Sequence, residues 1–462
     1  MADTSGTVFL VLPRAPARRT PHGEDPMATL PADTSALASS TYAVVARRLL
    51  PLLGLCYFLS YLDRTNVAVA ALTMNEDLGI SAAAFGLGAG LFFIGYFVFE
   101  VPSNLIMYRV GARIWMARIM VTWGIVAGAQ ALAVGETSFY VIRILLGIAE
   151  AGFFPGMILY LTFWFPADAR ARAVGWFMAA VPLSTAIGAP LGGLLLGLDG
   201  VWGLAGWQWL FIVEAIPTII LGFLLLAWLP DRPADVDWLS PTQKDWLESR
   251  LAQEDSESEG GHLTAWRSLG HPRVLTLSLI YFAIVFGLYG IGFWLPTIVK
   301  ESLGIADNLD VTLLTAAPYV VGAVAIVVVG RFVDRAGRPG RITTVAMAVG
   351  GVALAATAFA STQPWVGYAG LFVCAVGVMA SFPGFWRLPT AFLTGAAAAA
   401  GIAVVNSIGN LAGFAGPYWV GFLTETTGAA RWGLVSIGLV MVAGAIAVLV
   451  LSRDRSPATS RR

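Results

Sequence analysis

Residues 49–72 read LLPLLGLCYFLSYLDRTNVAVAAL. At 1.5 Å of rise per residue the run is long enough to cross the ~30 Å hydrocarbon core of a bilayer as one helix. Its apolar residues show no polar face opposite them, as expected of a segment surrounded by lipid and protein rather than water. Two charges, Asp63 and Arg64, nevertheless lie deep within it. Eleven stretches of the same kind follow, at 83–107, 115–134, 138–163, 174–198, 208–229, 274–298, 311–330, 342–360, 365–390, 399–423 and 432–452. The reading is therefore an all-α integral membrane protein with twelve transmembrane helices.

Composition points the same way. Of 462 residues 57% are apolar and 12% charged, against roughly 25% charged in soluble domains. Lys plus Arg and Asp plus Glu are both 28, so there is no basic excess to engage nucleic acid. Lys244 and Lys300 are the only lysines and no Gly-Lys-Ser/Thr triplet occurs, which removes a P-loop and with it ATP as the energy source. Cys56 and Cys374 fall in apolar runs and read as packing residues. The histidines, His22, His262 and His271, lie in polar segments. With neither a His-Glu-x-x-His pair nor a Gly-x-Ser-x-Gly elbow, a membrane enzyme is disfavoured. No metal site or cofactor is expected.

The polar stretch from Pro230 to Pro272 divides the spans six and six. Residues 1–45 read as a disordered cytosolic tail, 46–229 as the first six-helix bundle and 230–272 as a cytosolic central loop. Residues 273–452 read as the second bundle and 453–462 as a cytosolic tail. Within the loop, Ser240 to Glu248 reads as a helix with Ser240 as N-cap and Pro241 at the first position. Arginines cluster on the side of the termini, from Arg47 and Arg48 through Arg109, Arg113, Arg170 and the run Arg331 to Arg341. The opposite loops carry Lys300 and Arg431. The positive-inside rule then places both termini in the cytoplasm.

The halves also look like copies. Asn75-Glu76-Asp77-Leu78-Gly79-Ile80 returns 225 positions later as Lys300-Glu301-Ser302-Leu303-Gly304-Ile305. Phe154-Pro155-Gly156 returns 228 positions later as Phe382-Pro383-Gly384. Such duplication is the sequence sign of a transporter built from repeats.

A charge at mid-membrane costs about 2.5–3.5 kcal/mol on insertion scales, so such residues are functional candidates by default. Asp63, Arg64, Arg143 and Glu150 stand out, all in the first half. Arg143 and Glu150, seven residues apart, share one helix face. One can hold an anion while the other titrates. Static salt bridges tying helices one and four together are the alternative. The aligned positions of the second half, near Leu288, Tyr289, Leu371 and Val378, carry no charge. Asn406 and Asn410, one turn apart, could bind the organic part of a substrate or join helices. Arg387 reads as snorkelling to the interface, Glu100 as part of a gate or loop network, and Glu214 as structural. Gly188-x-x-x-Gly192 and Gly409-x-x-x-Gly413 permit close helix approach.

Gly330-Arg331-Phe332-Val333-Asp334-Arg335-Ala336-Gly337-Arg338, between spans eight and nine, resembles the Gly-x-x-x-Asp-Arg-x-Gly-Arg loop motif of the major facilitator superfamily. Its counterpart between spans two and three keeps Arg109, Gly111 and Arg113 but has Tyr108 in place of the Asp. Glu100 is the candidate replacement for that carboxylate. Tyr61 to Asn66, Phe92 to Asn104, Gly147 to Gly156 and Asn406 to Pro417 resemble the anion:cation symporter family, closest to its tartrate and phthalate branch. The resemblance implies two six-helix bundles in the major facilitator fold and proton-coupled uptake of a carboxylate such as tartrate, phthalate or a sugar acid. By the same matching, Asp63 and Glu150 are proton-coupling acids and Arg143 and Arg64 meet the substrate. Tyr61, Tyr96, Trp386 and Asn406 line the cavity. Partners are then the organic anion, protons and the lipid of a bacterial inner membrane, with the protein a monomer. An exporter of the same fold is the rival reading. Its support is Ala189-Pro190-Leu191-Gly192-Gly193, a partial match to the antiporter motif Gly-Pro-x-x-Gly-Gly. A sensor without turnover is a third, for which the central loop is short.

Overall fold

Glycines and prolines decide where the long apolar stretches break. The computed structural model describes residues 32–178, 180–258, 271–360, 363–390 and 396–453, which form helices and turns; there is no strand among the described residues. The first half comprises α1 (Ala32–Leu78), α2 (Ala82–Val110), α3 (Ala112–Ala129), α4 (Glu136–Glu150), α5 (Phe153–Thr162), α6 (Ala167–Met178), α7 (Ala180–Leu196) and α8 (Gly206–Trp228). Helix α9 (Pro241–Ser258) occupies the connection. The second half comprises α10 (Pro272–Gly292), α11 (Leu295–Leu303), α12 (Asn308–Ala336), α13 (Pro339–Thr357), α14 (Pro364–Thr390), α15 (Ala396–Asn410), α16 (Ala412–Thr427) and α17 (Arg431–Arg453). Among the described residues eleven spans are long and apolar enough to cross a membrane, with α4 and α5 counted as one. Helices α15 and α16, interrupted at Leu411, cover the expected eleventh span, 399–423.

Three expectations shift. The tail read as disordered to residue 45 is helical from Ala32 onward, and residues 1–31 lie outside the described residues. Burial explains the extension: Val45 and Leu49 are buried, and Tyr42 packs edge-on against Trp246 of α9 at 5.5 Å. Span four is two helices rather than one. Glu150 closes α4, Ala151 is extended, and Gly152 takes φ +83°, a left-handed conformation that glycine adopts without a Cβ clash. The loop helix starts as expected, with Ser240 Oγ accepting from Gln243 N at 3.3 Å and Gln243 Oε1 from Ser240 N at 3.1 Å, but it continues to Ser258.

Apolar side chains such as Val101, Leu105, Val324 and Val328 remain exposed on the outer faces of α2 and α12, as lipid-facing residues should. The halves meet where α16 packs along α2 and α12 along α7. At the end of the bundle away from the termini, Glu425 Oε2 of α16 accepts from Ser81 Oγ at 2.8 Å and from Ala83 N at 3.0 Å. Lys300 Nζ donates to Leu72 O at 3.0 Å. These contacts bind the halves at that far end. Gly188 and Gly192 bring α7 against Leu62 and Val69 of α1, the close approach their spacing permits.

Candidate functional site

The four intramembrane charges fall into three environments. Arg64 Nη2 forms an ion pair with Glu150 Oε1, which also accepts from Ser60 Oγ at 2.8 Å. Arg64 Nη1 donates to the Tyr289 hydroxyl at 3.3 Å, so one guanidinium joins α1 and α4 to α10 of the other half. Tyr289 lies 225 positions from Arg64, the offset of one internal repeat. The rings of Phe92, Tyr96, Tyr61 and Phe93 surround that guanidinium at 5.2, 5.4, 5.7 and 6.0 Å, giving cation–π contact in place of water.

Asp63, adjacent in sequence, points elsewhere because successive helical residues turn by 100°. Its Oδ2 accepts from Trp123 Nε1 of α3 and Thr218 Oγ1 of α8, both at 2.9 Å. One turn further along α1, Asn66 Nδ2 donates to Glu214 Oε2 at 3.0 Å.

Arg143 makes a third environment. It is fully buried, and its Nε, Nη1 and Nη2 reach Gly88 O at 3.4 Å, Gln130 Oε1 at 3.5 Å and Ala89 O at 3.3 Å. Phe92 lies 5.1 Å from its guanidinium carbon, so the same ring contacts both arginines. Arg143 and Glu150, expected to act together from one face of α4, do not pair in this conformation: the partner of Glu150 is Arg64, a salt bridge between helices one and four. Seven residues of helix separate Arg143 from Glu150 by about 10 Å. The α2 carbonyls beside the side-chain-free Gly88 claim the guanidinium instead.

A small cavity lies between the halves, lined among others by Tyr61, Thr65, Asn66, Glu214, Tyr289 and Tyr319. Glu214, read from sequence as structural, thus faces the cavity. Tyr96 lies beside Arg64, but Trp386 packs on Tyr281 of α10 at a centroid distance of 4.9 Å. Asn406 and Asn410 are half-buried on α15 and do not line this cavity. The structure therefore assembles Arg64, Glu150, Tyr61 and Tyr96 around one centre, with Trp386, Asn406 and Asn410 apart from it.

In the loop motif, Gly337 (φ +61°) ends α12, its N–H donating to Val333 O at 3.1 Å. Asp334 pairs with Arg387 of α14, while Arg335 and Arg338 are exposed and Gly330 is partly exposed. Arg387, read as extending to the interface, is thus also the partner of the motif aspartate. In the first half Arg109 is exposed at the end of α2, and Gly111 (φ +99°) turns the chain into α3. The missing carboxylate is supplied by Asp231 rather than Glu100. Asp231 Oδ1 accepts from Arg113 N at 2.9 Å, and Oδ2 lies 3.5 Å from Arg113 Nε. Asp231 thus caps the N-terminus of α3, where Gly111 has no side chain to do so. Asp231→Ala is expected to cost about 1 kcal/mol, measurable as a lower thermal midpoint of the purified protein. An unchanged midpoint would remove Asp231 from this role.

The uncharged partners Ser60, Trp123, Thr218 and Gln130 were invisible to a search for charges. The available signal was spacing, since Asp63 and Asn66 on α1, and Glu214 and Thr218 on α8, each share a helix face.

Comparison with known proteins adds the following. The profile of the Major Facilitator Superfamily matches residues 53–417. A protein of Agrobacterium vitis that carries the provisional name of tartrate transporter is 45% identical over 431 residues, 93% of this chain and 95% of that one. A quinolone resistance transporter of Acinetobacter baumannii is 42% identical over 409 residues, 88% of this chain and 94% of that one. Among solved structures, the inward open xylose transporter XylE of E. coli superposes with a TM-score of 0.70 at 16% identity, covering 87% of this chain and 96% of that one.

Proposed function

Because the chain belongs to the Major Facilitator Superfamily, it is a membrane transporter, and we propose that it takes up a small organic carboxylate together with protons by alternating access. The observation that carries this reading is the buried pair of Arg64 and Glu150 at the junction of the halves. Removing an internal partner from a buried guanidinium leaves a charge that needs an anion. Substrate carboxylate and Glu150 therefore compete for Arg64. From the far side, a proton on Glu150 frees Arg64 for the incoming anion. Loss of that proton on the side of the termini restores the pair and expels the anion. Asp63 is the second coupling acid. The arginine distribution supports a cytoplasmic location for both termini in a bacterial inner membrane, and the protein works as a monomer with separate first and second bundles, 46–229 and 273–452. The contacts at Glu425 and Lys300 close the far side, so this conformation corresponds to the stage after release.

The relative named for tartrate supports a carboxylate cargo. The quinolone resistance relative keeps export as the second reading. Reconstitution in proteoliposomes separates them. A screen of organic acids by thermal shift first selects the cargo, because a ligand of the folded state raises apparent stability. Uptake of that acid should then rise with an inward proton gradient and vanish with a protonophore. Uptake undiminished without any gradient, or driven by sodium alone, would defeat the proton assignment. Extrusion under the inward gradient would favour the exporter.

A further inference from the structure

The acids Asp63 and Glu214 form a group that the exchange at Arg64 leaves unused. They sit on facing surfaces of α1 and α8, one turn apart in depth: Asp63 against Thr218, and Asn66 against Glu214. Asp63, Asn66 and Glu214 are enclosed, exposed by 1%, 5% and 2%. Each carries one oxygen without a hydrogen-bond partner, namely Asp63 Oδ1, Asn66 Oδ1 and Glu214 Oε1. No guanidinium or ammonium pairs with either carboxylate among the described residues. The remaining elements packed on α8 bring no charge to Glu214. Helix α3 presents Trp123, already donated to Asp63, the turn after α3 presents Gln130, and α7 contains no ionisable residue. Asp77 of α1 is engaged by Trp207 Nε1 at 2.8 Å. Across the cavity stand Tyr289 and Tyr319.

The two acids differ in access. Glu214 and Asn66 line the cavity between the halves, whereas Asp63 does not. Buried carboxylates close together and without a cation are the arrangement in which one proton is held between neighbouring acids. The free oxygens on Asp63, Asn66 and Glu214 are the acceptors that such a proton, or a water carrying it, needs.

We propose that Glu214 is the proton relay between the cavity and Asp63, taking a proton from cavity water and passing it one helical turn to the Asp63 carboxyl. The transfer is balanced: Glu214 gains a proton at Oε1 and returns to carboxylate as Asp63 becomes the acid. Asn66 positions Glu214 by its amide. This rests on the reading of Asp63 as a titrating group.

Infrared difference spectroscopy on the full-length protein in liposomes tests it without any substrate. After a rapid drop in pH, the carboxylic C=O stretches of protonating acids appear with time, and Asp63→Asn identifies the Asp63 band. In Glu214→Gln, which keeps an acceptor for Asn66, the Asp63 band should rise on the order of tenfold more slowly. Glu214→Asp, which retains an acid, should recover part of that rate. An Asp63 band with unchanged rate in Glu214→Gln overturns the relay. A Glu214→Gln rate that is slow but not improved in Glu214→Asp also overturns it, since the effect is then structural. Absence of any Asp63 band in the unmodified protein, with the Glu214 band present, instead overturns the assignment of Asp63 as a coupling acid and the relay with it. Circular dichroism of each variant confirms that the compared proteins are folded.

Discussion

Arg64→Lys is expected to lower uptake of the selected organic acid in proteoliposomes by about 30- to 150-fold, the equivalent of roughly 2–3 kcal/mol for a lost charge-assisted hydrogen bond. Charge is retained, so the effect comes from geometry. Arg64 reaches Glu150 with one terminal nitrogen and Tyr289 with the other while its plane lies among four aromatic rings. An ammonium cannot present a planar fork to a carboxylate and to Tyr289 at once. Uptake within threefold of the unmodified protein would reduce Arg64 to a static tie between α1 and α4. Arg143→Lys provides the contrast. Arg143 is fully buried and occupied by two carbonyls and an amide, so a single ammonium would leave buried acceptors unpaired at about 1–3 kcal/mol. Its main effect should be a lower thermal midpoint.

Glu150→Gln should abolish accumulation against a gradient while leaving the acid bound. Glutamine matches the protonated carboxyl in size and can still accept from Ser60, but it can never recapture Arg64 as a carboxylate does. Arg64 then remains available to the anion on both sides. Binding measured directly should be at least as tight as in the unmodified protein, and exchange of labelled for unlabelled substrate should survive because it needs no net proton movement. Net accumulation should fall to equilibration. Proton-driven accumulation that persists in this variant would exclude Glu150 as a coupling acid.

Much of this was legible in the chain. Twelve apolar runs, the 225-position repeat and the central polar loop dictated the architecture. The rule that charges within a bilayer are costly singled out Asp63, Arg64, Arg143 and Glu150. Their pairing was not legible, because azimuth along one helix says nothing of the neighbour's rotation. Arg143 and Glu150 share a face of α4, yet α2 carbonyls take the first and α1 supplies Arg64 to the second. Asp231 was hidden for a related reason. It caps α3 from 118 residues away, a distance over which no local pattern speaks. The break after Glu150 brings Gly152 close against Ser103 of α2, again a contact between helices. The place of Glu214 at the cavity was not legible, because its depth in span six is visible in the chain but the cavity beside it is not.

Proton uptake on substrate binding tests the central claim most directly. Titration calorimetry of the purified protein with the selected acid, repeated in buffers of different ionisation enthalpy, counts protons exchanged on binding. If the substrate carboxylate displaces Glu150 from Arg64, binding near neutral pH takes up a proton from the buffer in the unmodified protein. In Glu150→Gln that uptake should fall or vanish while affinity is kept. Equal proton uptake in both proteins, or none in the unmodified protein, would contradict competition between Glu150 and the substrate for Arg64.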